Sequence, residues 1–317
     1  NPNLMNVVEG KETLDEFVDK LPTEALIHLL GGQPNTGVAN TFGMGNLPEY
    51  GIPNIMTADG PAGLRIQPQC GVNTTAWPCA TLLACTWDPE LIEEIGKAGG
   101  EEVKENNIGI WLTPAVNIHR SPLCGRNFEY YSEDPLVAGK SGAAMVRGMQ
   151  SEHIGASVKH FCCNNKETNR KDSDSRVSER ALREIYLKAF EIIVKEADPY
   201  TIMSSYNLIN GVPTADSYDL CTNIARGEWG FDGLIMTDWN GGSSTPMKSM
   251  HAGNDMIMPG GAERAQNIVN GMQDAEPNFD ERGQVAVDVQ LMYGFVKVYS
   301  AKWNEFTPSA EGTKTVS

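Results

Sequence analysis

The chain has 317 residues, 40% of them hydrophobic and 21% charged, with a formal net charge of −16. That composition suits a soluble globular protein with one large domain or two small ones. It carries no Lys/Arg stripe, which argues against nucleic acid or an anionic membrane surface as a partner. No apolar run is long enough to span a bilayer and no signal peptide is visible, but the first residue is Asn1 rather than Met. The chain therefore reads as cut or processed, and the question of a leader stays open. The seven cysteines are irregularly spaced and form no C-x-x-C. Unpaired thiols point to a reducing, cytoplasmic setting, with an extracellular one left open, and no metal site or cofactor is expected.

Residues 11–30 read as one helix. Thr13 with Glu16 is a capping box, Leu14, Phe17, Val18, Leu21, Leu26 and Leu29 follow at helical spacing, and Gly31-Gly32 ends it. Residues 31–53 are rich in Gly, Asn and Pro and read as a loop. A repeating pattern then begins. Short apolar runs sit at Ile55–Ala58, Thr81–Ala84, Ile110–Thr113, Ala156–Val158, Thr201–Ser204, Leu234–Met236 and Met256–Met258. Helical stretches at Pro89–Glu105, Leu136–Glu152 and Ser178–Ala197 lie between them. Strands alternating with helices mean βαβ units and a parallel sheet, and about seven units favour a (β/α) barrel over an open sheet. A last helix is expected over Val285–Val298. The domain reading is a helical lead-in over 1–32, a barrel over 33–298 and a tail over 299–317.

Chemistry gathers where the strands end. Leu234-Ile235-Met236 stops abruptly at Thr237-Asp238-Trp239. In parallel α/β folds that C-terminal edge is where ligands bind. A carboxylate there, beside an indole that can stack on a sugar ring, is a candidate nucleophile; the structural alternative is that Asp238 caps the next turn. The other strands bring Asp59 to Arg65, Asn117 to Arg120, Arg126 to Asp134, Lys159-His160, Glu167 to Arg170, and Met203 to Asn207 toward the same rim. Carboxylates, cationic donors and aromatic faces together suit a neutral polyhydroxylated ligand.

These residues also carry a resemblance. The segments A-D-G-P-A-G-L-R (58–65), G-R-N-F-E-Y-Y-S-E-D-P (125–135), K-H-F (159–161) and M-T-D-W (236–239) resemble, in order and spacing, the barrel domain of glycoside hydrolase family 3, β-glucosidase type. The resemblance runs from about Leu21 to Gly261. It implies a retaining mechanism in which Asp238 attacks the anomeric carbon. It further implies that Asp59 accepts hydrogen bonds from the sugar and that Arg126, Lys159 and His160 donate them. Tyr206 would stand beside the nucleophile and Trp239 would line the pocket, with Met203 also assigned to the substrate site. Arg65 and Glu129 are read as ion-pair partners behind the site, and Arg170 as either lining or supporting it. Each has a structural alternative: Asp59 as a turn cap, Arg126–Glu129 as a pair under the loop, His160 and Tyr206 as core. The N-acetylglucosaminidase branch is disfavoured, because Cys162-Cys163-Asn164-Asn165 follows K-H-F where that branch has a Gly-His dipeptide.

A retaining glycosidase also needs a general acid about 5 Å from its nucleophile. In the β-glucosidase branch this is a glutamate on a second, α/β-sandwich domain. The chain beyond Gly261 is too short for one, so it is read as a fragment or as half of a circularly permuted enzyme. None of Glu129, Glu133 and Glu167 is nominated as the acid. The expected partners are a β-glucoside or oligosaccharide and the acid-bearing domain or chain, with an oligomer possible. β-Xylosidase activity, alone or beside glucosidase activity, is the nearest alternative. A sugar-binding barrel without turnover is the alternative of another class.

Overall fold

A computed structural model describes residues 2–274. The expected helix over 285–298 and the tail over 299–317 lie outside the described residues. At the N-terminus the single expected helix is broken. Three short helices stand there: α1 (Leu4–Val8), α2 (Leu14–Val18) and α3 (Thr23–Leu29). The capping box forms as read, with Thr13 Oγ1 accepting the Glu16 N–H at 3.2 Å and Glu16 accepting the Thr13 N–H at 2.8 Å. Pro22 splits α2 from α3, because it has no N–H to continue the first helix and its fixed φ suits the entry to the second.

The expected loop over 31–53 contains a strand. β1 (Gly43–Leu47) pairs antiparallel with β2 (Ile52–Ala58) across a turn at Pro48–Gly51. Thr81–Ala84, expected as a strand, belongs instead to the helix α4 (Ala80–Ala84). Its Ala and Leu residues are strong helix formers, and a run this short has no period to separate the two states. The remaining elements fall near their expected places. β3 is Ile110–Trp111, β4 Gly155–Phe161, β6 Thr201–Ser204 and β9 Leu234–Thr237. The two-residue strands β5 (Asp174–Ser175), β7 (Leu208–Ile209) and β8 (Val212–Pro213) form a separate small sheet on the loops. α5 (Pro89–Glu105) and α6 (Pro135–Ser151) begin at Asp88 and Asp134, whose carboxylates accept first-turn N–H groups. α7 (Glu179–Ala181) passes through a π turn at Leu182–Tyr186 into α8 (Lys188–Ala197). α9 (Pro246–Ala252) and the unanticipated α10 (Ala262–Asp274) follow.

The main sheet runs β1-β2-β3-β4-β6-β9, all parallel after the first pair. Single bridges close it. Met236 pairs with Met256, Ile257 with Gly31, and Gln33 with Gly43. Their hydrogen bonds are ordinary: Ile257 N–H to Leu30 O at 2.8 Å, Gly32 N–H to Ile257 O at 3.0 Å, and reciprocal 2.8 Å bonds between Gln33 and Gly43. The result is an irregular barrel in which extended segments around Gly31 and Ile257 stand in for full strands. Alternation along the strands divides the core. Met203, Leu234 and Met236 join the buried cluster inside the ring, and Ile202, Ile235 and Val158 join the cluster under α5, α6 and α8. No helix among the described residues is long and apolar enough to cross a membrane.

Candidate active site

Asp238 leaves β9 at its C-terminal end with only 8% of its surface exposed. Its Oδ1 accepts the Trp239 N–H at 2.7 Å, so it does cap the short turn that follows. The capping reading and the candidate-nucleophile reading are therefore compatible. The Tyr206 hydroxyl stands beside its carboxylate, and its Oδ2 lies 3.9 Å from His160 Nε2. Burial pushes the Asp238 carboxyl above its ordinary range; the Trp239 N–H, Lys159, Arg126 and the Tyr206 hydroxyl pull the other way. The loop after it is held close. Gly242 has φ +63°, and a Cβ there would meet the Tyr206 carbonyl oxygen at 2.6 Å. Glycine thus lets this loop press against the Tyr206 backbone.

β4 supplies the next two groups. Lys159 and His160 are buried, and the Lys159 ammonium stands 3.9 Å from Asp59 Oδ1. Asn117 holds His160 three ways: it accepts the His160 N–H at 2.9 Å, donates to the His160 carbonyl at 2.8 Å, and faces Nδ1 with the same Oδ1 at 3.3 Å. That oxygen can only accept, so Nδ1 carries the proton and Nε2 presents a lone pair. Burial first, and then the cations Arg126, Lys159 and Arg170, push the His160 pKa well below its usual value. The ring is neutral. In this tautomer the ring presents an acceptor at Nε2 toward the site.

Asp59 follows β2 with its side chain about a third exposed. Asn40, from the segment read as loop, accepts the Asp59 N–H at 2.9 Å and donates to its Oδ2 at 3.1 Å. Asn40 is a supporting residue that sequence reasoning did not place, and Asn117 was brought to the rim without a role; the only signal of either part is an amide in a strand-adjacent loop. Arg126 binds Glu129, which is buried, and lies 4.0 Å from Glu167. The structural pair considered in the sequence is therefore present. Arg170 bonds Glu167 at 3.3 Å and lies over the Tyr206 ring at 4.8 Å. Trp239 is half-buried at the rim. Met203 is buried in the barrel core.

Arg65 is not brought into the site. Its side chain is exposed without an ion pair among the described residues, and its backbone N–H alone reaches Asp59 O at 2.9 Å. Glu129 pairs with Arg126 in its place. Of the three acids considered as proton donors, Glu129 and Glu167 are committed to guanidinium groups and Glu133 is exposed.

The geometry joins a buried carboxylate at a barrel-strand terminus to a rim of hydrogen-bonding side chains. The model of the glycosyl hydrolase family 3 N-terminal domain matches residues 45–282. The chain belongs to glycosyl hydrolase family 3. Its N-terminal-domain match covers the barrel apart from the closing segment around Gly31 and the start of β1, and every rim residue named above except Asn40. Over 254 residues the chain is 63% identical to β-glucosidase A of Butyrivibrio fibrisolvens, covering 80% of this chain and 30% of that protein. It is 48% identical over 218 residues to an exo-α-(1→6)-L-arabinopyranosidase of Bifidobacterium longum, covering 66% and 29%. The structure of β-glucosidase 3B from Thermotoga neapolitana in complex with α-D-glucose superimposes with a TM-score of 0.84 at 40% identity, covering 92% of this chain and 43% of that one. The chain thus spans about a third of the length of the curated relatives it matches.

Proposed function

We propose that this family 3 barrel is the nucleophile-bearing part of a retaining, exo-acting β-glucosidase. The observation that carries the reading is the buried Asp238 carboxylate, held by the Trp239 N–H beside the Tyr206 hydroxyl at the rim end of β9. A fixed, desolvated carboxylate is what covalent catalysis at an anomeric carbon needs. In the first step an Asp238 oxygen bonds to that carbon while its bond to the glycosidic oxygen breaks. The leaving oxygen takes a proton from an acid supplied from outside this chain. In the second step the deprotonated acid takes a proton from water, the water oxygen bonds to the anomeric carbon, the ester C–O bond breaks, and Asp238 returns as carboxylate. Asp59, Lys159, Arg126 and His160 hold the sugar hydroxyls, with His160 accepting. Support for glucose comes from the relatives named β-glucosidase and the glucose-bound Thermotoga structure. Support for an acid on another domain comes from the greater length of those relatives and from the committed state of Glu129 and Glu167.

The arabinopyranosidase relative makes a pentopyranoside the second reading. Losing one hydroxymethyl group changes discrimination by only about 1–3 kcal/mol. The test is incubation with dinitrophenyl 2-deoxy-2-fluoro-β-glucoside, with and without the remaining part of the enzyme, followed by intact mass and peptide mapping. The expected adduct is on Asp238. An adduct elsewhere would refute the nucleophile, and labelling by the xyloside analogue alone would move the substrate to a pentopyranoside.

A further inference from the structure

Glu167 sits in the loop after β4, at one end of a turn whose other end is Arg170: the Arg170 N–H donates to the Glu167 carbonyl at 3.2 Å. The side chains meet as well, with Arg170 Nη1 donating to Glu167 Oε2 at 3.3 Å. Taken alone, a partly exposed pair within one turn is worth little. The other carboxylate oxygen makes it more than that. Glu167 Oε1 is buried with no hydrogen-bond partner among the described residues, and Arg126 Nη1, from the loop after β3, lies 4.0 Å away. Arg126 Nε binds Glu129. Two carboxylates thus face the Arg126 guanidinium at two of its three nitrogens, and a planar guanidinium addressed at two points has a set orientation.

In the other direction Arg170 carries the influence of Glu167 toward the nucleophile. Its guanidinium lies over the Tyr206 ring at 4.8 Å, and the Lys171 ammonium lies over the same ring at 5.6 Å. Tyr206 is buried, and its hydroxyl stands beside the Asp238 carboxylate. Arg126 and Arg170 both act on His160 and on Tyr206, so the two guanidinium groups share one region of the rim. Like charges there repel, and Glu167 is the carboxylate that faces both. One side chain therefore touches two arms of the site: the cation placed to hold the sugar, and the cation resting on the neighbour of the nucleophile.

We propose that Glu167 is a positioning residue: one carboxylate that sets Arg126 for the sugar and, through Arg170 and Tyr206, sets the hydroxyl beside Asp238. The inference rests on the reading of Asp238 as nucleophile and Arg126 as a sugar donor, and the test keeps the two apart. Inactivation by dinitrophenyl 2-deoxy-2-fluoro-β-glucoside is followed at several concentrations, with the remaining part of the enzyme present, which separates affinity (KI) from the rate of labelling (kinact). Glu167→Gln keeps the shape and removes the charge. It should raise KI and lower kinact, each about 10-fold, the scale of a charge-assisted hydrogen bond. Its Tm should stay near wild type, because a partly exposed ion pair adds little to stability. Adding Glu167→Gln to Tyr206→Phe should raise KI again but cost little further kinact, since both changes act on one hydroxyl. Fully additive losses in kinact would overturn the route through Tyr206. A large fall in Tm with KI and kinact unchanged in the folded fraction would make Glu167 a purely structural residue and overturn the inference. Unchanged KI and kinact in Glu167→Gln, with wild type labelled on Asp238, would overturn it while leaving the catalytic reading standing. If wild type is not labelled, the catalytic reading falls, and glucose calorimetry decides the Arg126 arm: no loss of glucose affinity in Glu167→Gln would overturn that as well.

Discussion

Two buried carboxylates bracket β9, and they are handled in opposite ways. At the strand's N-terminal end Asp255 is 1% exposed, binds the Arg226 guanidinium and accepts the Ile235 N–H at 2.7 Å. Arg226 is anchored in turn to Gly233 O at 3.0 Å and Gly253 O at 3.3 Å. At the other end Asp238 has a backbone N–H on its carboxylate and the Tyr206 hydroxyl beside it, but among the described residues its nearest basic nitrogen is on the His160 imidazole, 3.9 Å away. Burial raises the pKa of both acids, so burial alone does not mark the proposed nucleophile. The difference lies in direct ion pairing: Asp255 has spent its charge on a guanidinium, and Asp238 keeps its own available at the rim.

The largest effect that sharpens this comparison is Asp238→Asn. Turnover of an activated glucoside should fall by about 10⁴-fold, as when a nucleophile is deleted, while thermal unfolding shows an intact fold. Asp255→Ala should do the converse. Removing one partner of a buried pair costs about 3–5 kcal/mol, so denaturant unfolding should show a large loss while the folded fraction still takes the fluoroglucoside label. If Asp255→Ala abolished labelling in folded protein, the division of roles would be wrong. Tyr206→Phe comes next. It removes a hydroxyl that favours the charged carboxylate, so kcat/KM should drop about 10-fold and the acid limb of the pH profile should move upward.

In the wild type that acid limb should already lie above the ordinary carboxylate value of about 3.9, since activity is lost as Asp238 takes up its proton. The smallest effect is on stability. A carboxyl whose folded pKa is raised binds its proton more readily in the folded state, so its cost is greatest at higher pH and is relieved as pH falls through the folded pKa. Asp238→Asn should therefore be more stable than wild type near neutrality, with the gap narrowing on acidification, as unfolding curves at several pH values would show.

Much of this was legible in the chain. Strand-end placement of Asp238, Lys159 and Tyr206 follows from apolar runs that stop at polar residues, and the capping box at Thr13 is local chemistry that tertiary structure did not override. Elsewhere the signals were too weak or too distant. Ala80–Ala84 has no period long enough to distinguish helix from strand. β1 is built from Gly43, Asn46 and neighbours with poor strand propensity, and it forms because β2 supplies a partner. The acceptor role of His160 depends on Asn117, 43 positions away in sequence, and Arg65 shows that a motif residue can face outward even where its neighbour Asp59 lines the rim. Asp255 and Arg226 meet across 29 positions, a pairing no local pattern announces.

The barrel's closure has a consequence for the order of events during synthesis. Gly31 is made before nearly the whole described barrel, and its partner Ile257 after it. At about 5–20 residues per second, Ile257 is added roughly 10–45 s after Gly31. Through that interval the nascent sheet has an unmatched edge, and the wall beyond β9 does not yet exist. Ribosome-bound intermediates should thus present β2 to β6 assembled but unsealed, with sealing as a late, long-range step that sets the time at which the complete rim around Asp238 first exists.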